Sequence, residues 1–271
     1  MKPYLVLVVD DDLDTRELYT LVFEVAGFRV AAADSVGQAL DAARCLHPDV
    51  ILTDWRLGDG DGLTLCRELR RHGPTRLLPV VAATGMTLSL EVRAQARQAG
   101  CEAFLIKPLD VEELVRTTSA AIQVRQARML RAAAALVRRE AARASRTTSN
   151  ASASSRASAS GLIAASRAAV RGSVALIIAD DAGHYVAANE RAAELTGYAT
   201  SVLETMSVSD LTPDPQAAAA HDLWHQFMES GAQEGVYLVK RSDGEAVPLR
   251  YVAFANIAPG LHLSALSPAA V

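Results

Sequence analysis

The sequence predicts an α/β chain: a five-stranded doubly wound parallel sheet, then an α+β domain with an antiparallel sheet, joined by a long helix and a flexible linker. Three observations predict it. Short β-rich runs alternate with helix-length periods between residues 4 and 110. A Ser/Ala-rich stretch interrupts the chain at 144–161. Charge changes sign twice: residues 1–114 carry 12 basic and 18 acidic side chains, residues 115–171 carry 11 and 1, and residues 172–271 carry 4 and 12. At 271 residues the chain has room for about two domains of ordinary size.

Taken in order, the β-rich runs are YLVLVV (4–9), FRVAAA (28–33), VILT (50–53), PVVAAT (79–84) and AFLI (103–106). Between them lie helical periods: LDTRELYTLVFEVAG stopped by Gly27, SVGQALDAARCL capped by Ser35, GLTLCRELRRHG, and LEVRAQARQAG. Five βα repeats of this length imply a parallel sheet with helices on both faces. In such a sheet ligands bind beyond the carboxyl ends of the strands.

Residues 111–143 contain no Gly or Pro and read as one helix. Val115, Ile122, Met129 and Leu136 recur every seven positions, but their companion sites are small or polar, so the seam is weak. Two uses stay open: a homodimer contact, or a helix that packs on the first domain at its start and is solvated afterwards. Residues 144–161 cannot bury enough apolar surface to order themselves and read as a flexible linker. Beyond it, SVALIIAD, HYVAAN, EGVYLVKR, EAVPLRYVAFA and GLHLSAL read as strands, with turns at Asp181–Gly183 and Ser242–Gly244 and helical segments between the first two hairpins. The expected domains are 1–122, a basic helical and Ser/Ala-rich linker at 123–165, and 166–271.

The composition also excludes. No apolar run approaches the ~18 to 20 residues of a membrane span. The N-terminal apolar stretch is five residues long and stopped by three aspartates, which is not a signal peptide, so a cytoplasmic protein without membrane contact is expected. Cys45, Cys66 and Cys101 lack the spacing of a zinc site or a disulfide framework. The chain has three lysines, Lys2, Lys107 and Lys240, against 24 arginines, so a lysine calls for a specific reason.

The first domain carries the chemistry. Its strands end in Asp10, Asp11 and Asp12, in Asp54, in Thr84, and in Lys107-Pro108. Carboxylates gathered at one sheet edge repel unless a cation neutralises them, and hard oxygen ligands favour Mg²⁺. A hydroxyl and an ammonium facing them suit the oxygens of a phosphoryl group held on a carboxylate. This is the pattern of a phosphorylatable aspartate.

With VVDDD, the Asp54 after VILT, Asp61-Gly62, ATG at 83–85 and FLIKP at 104–108 in order, residues 1–122 resemble the receiver domain of two-component response regulators, which has a flavodoxin-like fold. The resemblance implies Asp54 as phosphoacceptor, Thr84 as switch hydroxyl, Lys107 as phosphate partner and Phe104 as switch aromatic. It implies Mg²⁺ held by Asp10, Asp11, Asp54 and the backbone carbonyl of Arg56, and a cis Lys107-Pro108 bond. The partner would be a sensor histidine kinase or phosphotransfer protein, and the output contact with an unknown downstream protein. The chain is not expected to be an enzyme beyond slow Mg-dependent self-dephosphorylation. Arg56 and Met86, two residues beyond Asp54 and Thr84, cannot orient an attacking water, which predicts a long-lived phosphoaspartate. A dehalogenase-type phosphatase would want D-x-D-x-T or V, but Asp14 stands at the last position.

Residues 166–271 resemble a PAS domain, through ALIIADDAGHYVAAN with Asn189, AAELTGY with Gly197, MSVSDLTP, the tryptophan-bearing helix and PGLHLSAL. That fold binds small ligands or pairs with itself, so its ligand and a homodimer through it stay open. The absence of cysteine there excludes covalent flavin photochemistry. His221 in HDLWH is the candidate haem ligand; the near miss to H-E-x-x-H lacks a proper base and third zinc ligand. Trp224 and Phe227, three apart, read as core. No effector domain is expected in the remaining residues. The alternative function is nucleic-acid or anionic-surface binding by the basic linker, against which stand its lack of aromatic residues and its linker composition.

Overall fold

In the computed structural model of the chain, residues 3–85, 89–147, 159, 161–164 and 174–269 are described; for 144–147, 214–219 and 221 the backbone alone is. The chain divides into two units, one of residues up to Arg125 and one of Gln126–Ala269.

In the first unit the apolar runs form β1 (Leu5–Val9), β2 (Arg29–Ala33), β3 (Val50–Asp54), β6 (Val80–Thr84) and β7 (Cys101–Ile106), with a two-residue pair β4 (Arg56–Leu57) and β5 (Gly60–Asp61) after β3. The large sheet is parallel in the order β2-β1-β3-β6-β7. Its central strands β1, β3 and β6 are apolar up to the polar carboxyl ends of β3 and β6, because both faces are covered. Val6 and Val8 point into a core with Phe23 and Ile122, while Leu7 and Val9 point into another with Leu65 and Leu69. The covering helices are α1 (Leu13–Val25), α2 (Val36–Leu46), α3 (Gly62–Arg71), α4 (Leu90–Gln98) and the start of α5 (Val111–Thr147). All five begin on caps: Asp12, Ser35, Asp61, Ser89 and Asp110 accept from the backbone N–H of Thr15, Gln38, Thr64, Val92 and Glu113. Arg125 fastens α5 by donating to the carbonyls of Pro48 and Asp49, at 2.9 Å each.

The second unit is α+β. Strands β8 (Ala175–Ala179), β9 (Tyr185–Ala188), β10 (Ala232–Lys240), β11 (Ala246–Ala258) and β12 (Leu261–Pro268) form an antiparallel sheet in the order β10-β11-β12-β8-β9. Gly183 and Gly244, at φ +81° and +85°, make the two turns expected from sequence. Helices α6 (Glu190–Thr196), α7 (Thr200–Leu203) and α8 (Asp214–Ser230) follow β9. Asn189 joins α6 to the sheet: its side chain accepts from Leu176 and Ala192 and donates to the Val174 carbonyl.

One expectation is corrected. Helix α5 is not solvated after the first domain: Leu130, Ala133, Ala134, Val137 and Ala141 are buried in the second unit's core with Leu176, Ile178 and Leu263. The alanines that weaken a coiled-coil seam are what let the helix lie close on a sheet. Arg131 adds a bidentate pair with Glu234, at 2.7 and 3.0 Å. Most of residues 144–161, and Met86, lie outside the described residues.

Candidate functional site

The sheet order reverses between β1 and β3, where the two connections leave on opposite faces and open a crevice at the carboxyl ends of the strands. Asp10 and Asp11 follow β1 and Asp54 ends β3. One carboxylate oxygen from each lies within 4.8 Å of the others. The third aspartate of the run, Asp12, is spent as the α1 cap, and the hydrogen bond from Thr15 holds its carboxyl below the usual range.

Lys107 enters from the loop after β7. Its Nζ stands 3.0 Å from Asp10 Oδ2 and 3.0 Å from Asp54 Oδ1. Its backbone N–H donates to the Thr84 carbonyl at 2.8 Å, so Thr84, buried at the end of β6, and Lys107 are positioned by one another. The peptide bond from Lys107 to Pro108 is cis. Burial pulls the ammonium down, but its two carboxylate partners outweigh it and hold Lys107 above its ordinary value. Asp10 is 2% exposed, and burial raises its carboxyl above the usual range even though Lys107 and the Asp12 N–H lower it. The site therefore concentrates negative charge at some cost, with one ammonium offsetting it. Three convergent carboxylates with hard oxygen donors fit Mg²⁺.

Arg56 donates its backbone N–H to Asp54 Oδ2 at 3.3 Å. Phe104, half-buried on β7, packs on Trp55 with ring centroids 5.5 Å apart. The sequence reading missed Trp55, whose adjacency to Asp54 was the available signal. It also missed Asp59, which accepts from the N–H groups of Val36 and Gly37 and fixes the loop after Asp54 to the start of α2. Arg16, one turn into α1, donates to the Asp10 carbonyl at 2.6 Å; only the fold reveals that contact. The side chain of His221 lies outside the described residues. Trp224 and Phe227 pack together in the second unit, with centroids 5.3 Å apart, and both wall a cavity.

Comparison with known proteins bears on the same residues. The family model of the response regulator receiver domain matches residues 6–119. The polar-differentiation response regulator DivK of Brucella ovis is 33% identical over 112 residues, which cover 41% of this chain and 90% of DivK. The chain belongs to the response regulator receiver family. The family places it in two-component signalling, whose receivers are signalling modules that bind Mg²⁺ in an acidic pocket and interact with histidine kinases or phosphotransfer proteins. The receiver is followed by a match to the PAS fold at residues 170–256. The DNA-binding dual master transcriptional regulator RpaA of Synechocystis is 36% identical over 120 residues, 44% of this chain and 48% of RpaA, so the match spans about half of that relative. The receiver domain of a sensor histidine kinase from Pseudomonas aeruginosa, solved with a magnesium ion coordinated in its active site cleft, is 30% identical over 44% of this chain and 98% of its own, with a TM-score of 0.41. No described helix is long and apolar enough to cross a membrane.

Proposed function

We propose that this response regulator accepts a phosphoryl group on Asp54 from the phosphohistidine of a sensor histidine kinase or phosphotransfer protein, and that a PAS domain modulates its contacts with a downstream protein. The observation that carries this is the position of Lys107 Nζ, 3.0 Å from both Asp10 and Asp54. An Asp54 carboxylate oxygen attacks the phosphorus, the P–N bond breaks and the imidazole leaves. Lys107 then pairs with a phosphoryl oxygen instead of the carboxylate, and the Thr84 hydroxyl donates to another. Asp10, Asp11, Asp54 and the Arg56 carbonyl would hold Mg²⁺, which neutralises the oxygens that crowd together during transfer. As Thr84 turns to the phosphoryl group, the space it leaves admits Phe104, so the surface of β7 changes. Arg56 offers no carboxylate or amide to orient a water, which makes the acyl phosphate long-lived.

The domains proposed are a receiver at 1–122, a connector at 123–165 whose helical part from Leu130 packs into the second unit's core, and a PAS domain at 166–271. Protein contact is favoured over nucleic-acid binding because described arginines of the basic segment are engaged within the chain: Arg131 with Glu234, and Arg138 over the Phe254 ring at 4.5 Å. Incubation with a radiolabelled phosphohistidine donor and Mg²⁺ should label the wild type for minutes or longer and leave Asp54→Asn unlabelled. Labelling that survives in Asp54→Asn, or wild-type label lost within seconds, sinks the corresponding half of the proposal.

A further inference from the structure

Between helix α8 and the antiparallel sheet of the second unit lies a cavity of about 150 Å³. Aromatic side chains form much of its wall, Trp224, Phe227, Tyr237 and Tyr251 among them, with Gln233 and Ser264 as polar lining residues. None of the described lining residues is charged, and none is a histidine, cysteine or methionine.

The polar groups have definite roles. The Thr212 hydroxyl donates to the Val208 carbonyl at 2.8 Å. A hydroxyl has one hydrogen, so the 2.8 Å contact between Thr212 and Tyr237 is a bond donated by the tyrosine. Tyr237 has then used its proton and offers only lone pairs, making it an acceptor. The side chains of Gln233 and Ser264 have no hydrogen-bond partner among the described residues. The Trp224 indole N–H is taken by the Asp181 carbonyl at 3.1 Å, and its ring meets that of buried His262 edge-on, 5.5 Å between centroids. His262 Nδ1 accepts from the Asn256 N–H, so its Nε2–H donates to Asp181 at 2.9 Å. That chain of bonds holds the aromatic wall in place without a ligand.

We propose that this cavity binds a small neutral aromatic molecule, of phenol or indole size and carrying an O–H or N–H group. Size sets the scale, because an apolar cavity of roughly 150 Å³ takes a benzene-sized ring, so one ring or a compact fused bicycle suits it while a haem or flavin is several times too large. The flat aromatic wall selects a planar ring, which it contacts by stacked or edge-on faces. A carboxylate or ammonium would lose water there and find no countercharge among the described lining residues. The acceptor at Tyr237 and the amide of Gln233 reward a donor on the ring. None of this depends on Asp54, and the site remains if receiver phosphorylation fails.

The test is isothermal titration calorimetry on the full chain and its Asp54→Asn variant, with indole and p-cresol as probes and toluene and benzoate as comparisons. Saturable one-site binding is expected, equal in both chains, with toluene and benzoate at least fivefold weaker than p-cresol. Ala253→Leu, which pushes a larger side chain into the cavity, should weaken binding tenfold or more. Gln233→Leu, similar in size and half-exposed, should fold normally and weaken indole about fivefold, the scale of one net hydrogen bond. The proposal is overturned by no saturable binding of indole or p-cresol up to their solubility. It is equally overturned by benzoate binding as tightly as p-cresol, by affinities unchanged in both cavity variants, or by a Soret band when hemin is supplied.

Discussion

Leu130→Ala tests whether the far half of helix α5 is a structural part of the second unit. Leu130 is fully buried against Leu176, Ile178 and Leu263, and the neighbouring helix positions 133 and 134 are alanines too short to fill the space it would leave. A site that cannot collapse falls in the middle of the Leu→Ala range of 2–5 kcal/mol, about 3 kcal/mol. With a urea dependence of roughly 2 kcal/mol per molar, that lowers the unfolding midpoint by roughly 1.5 M. The chain has two tryptophans, Trp55 in the first unit and Trp224 in the second, so each unit has its own fluorescence reporter. In a Trp55→Phe background the Trp224 transition should move by this amount with an unchanged slope, whereas Ala135→Ser, on the exposed face of the same turn, should leave it in place. A Trp224 midpoint shifted by less than roughly 0.2 M in Leu130→Ala would return the helix to solvent and refute the packing argument.

Asp10→Asn should raise the melting temperature of the receiver at neutral pH in EDTA while abolishing its stabilisation by Mg²⁺. Burial holds Asp10 above its unfolded value, so the native state takes up its proton more readily; the stability this gives is fullest at acid pH and is lost as pH rises through the folded value. The variant should lack that fall, and a variant less stable than wild type at pH 7 without metal would contradict it. Arg125→Met keeps the aliphatic stem but strands the carbonyls of Pro48 and Asp49, which should cost the receiver about 1–3 kcal/mol in urea unfolding followed by Trp55. An unchanged midpoint would show that water replaces the guanidinium there.

The receiver's strands and their acidic ends were legible because they obey local rules. A parallel sheet covered on both faces needs continuous apolar runs, and VVDDD or FLIKP puts polar chemistry directly after them. Less was legible where partners lie far apart in sequence. Arg16 beneath Asp10 and Asp59 at the start of α2 are contacts made by the fold, with nothing in their own windows to mark them. In α5, alanine spacing reads as a poor coiled coil, since heptad reasoning asks what another helix would want. A sheet asks for something else, a flat narrow stripe, and that demand appears only when β8, β11 and β12 are assembled. The cavity beside Trp224 was similarly hidden. An aromatic pair three residues apart means core in any helix, and whether the core closes completely depends on strands on both sides of it in the chain, from Ile177 to Leu266.

The scarcity of lysine also acquires a physical account. Arg70 reaches the carbonyls of Gly100 and Thr75 with two nitrogens, Arg131 grips both oxygens of Glu234, and Arg138 stands over the Phe254 ring. Each uses the planar fork or the stacking face of a guanidinium, which an ammonium cannot supply. Lys107 has a different task. It sits between two carboxylates and, on the proposed mechanism, transfers its contact from Asp54 to a phosphoryl oxygen in the same small space. A compact charge with three rotatable donors can follow that change, while a rigid fork would be locked on one carboxylate. On this reasoning Lys107→Arg keeps the charge but not the function: Asp54 should still become labelled, and the phosphorylation-driven change in Trp55 fluorescence, beside Phe104, should be lost. If Lys107→Arg reproduced the wild-type Trp55 response, the distinction drawn here between a point charge and a fork would not be what selected lysine at this position.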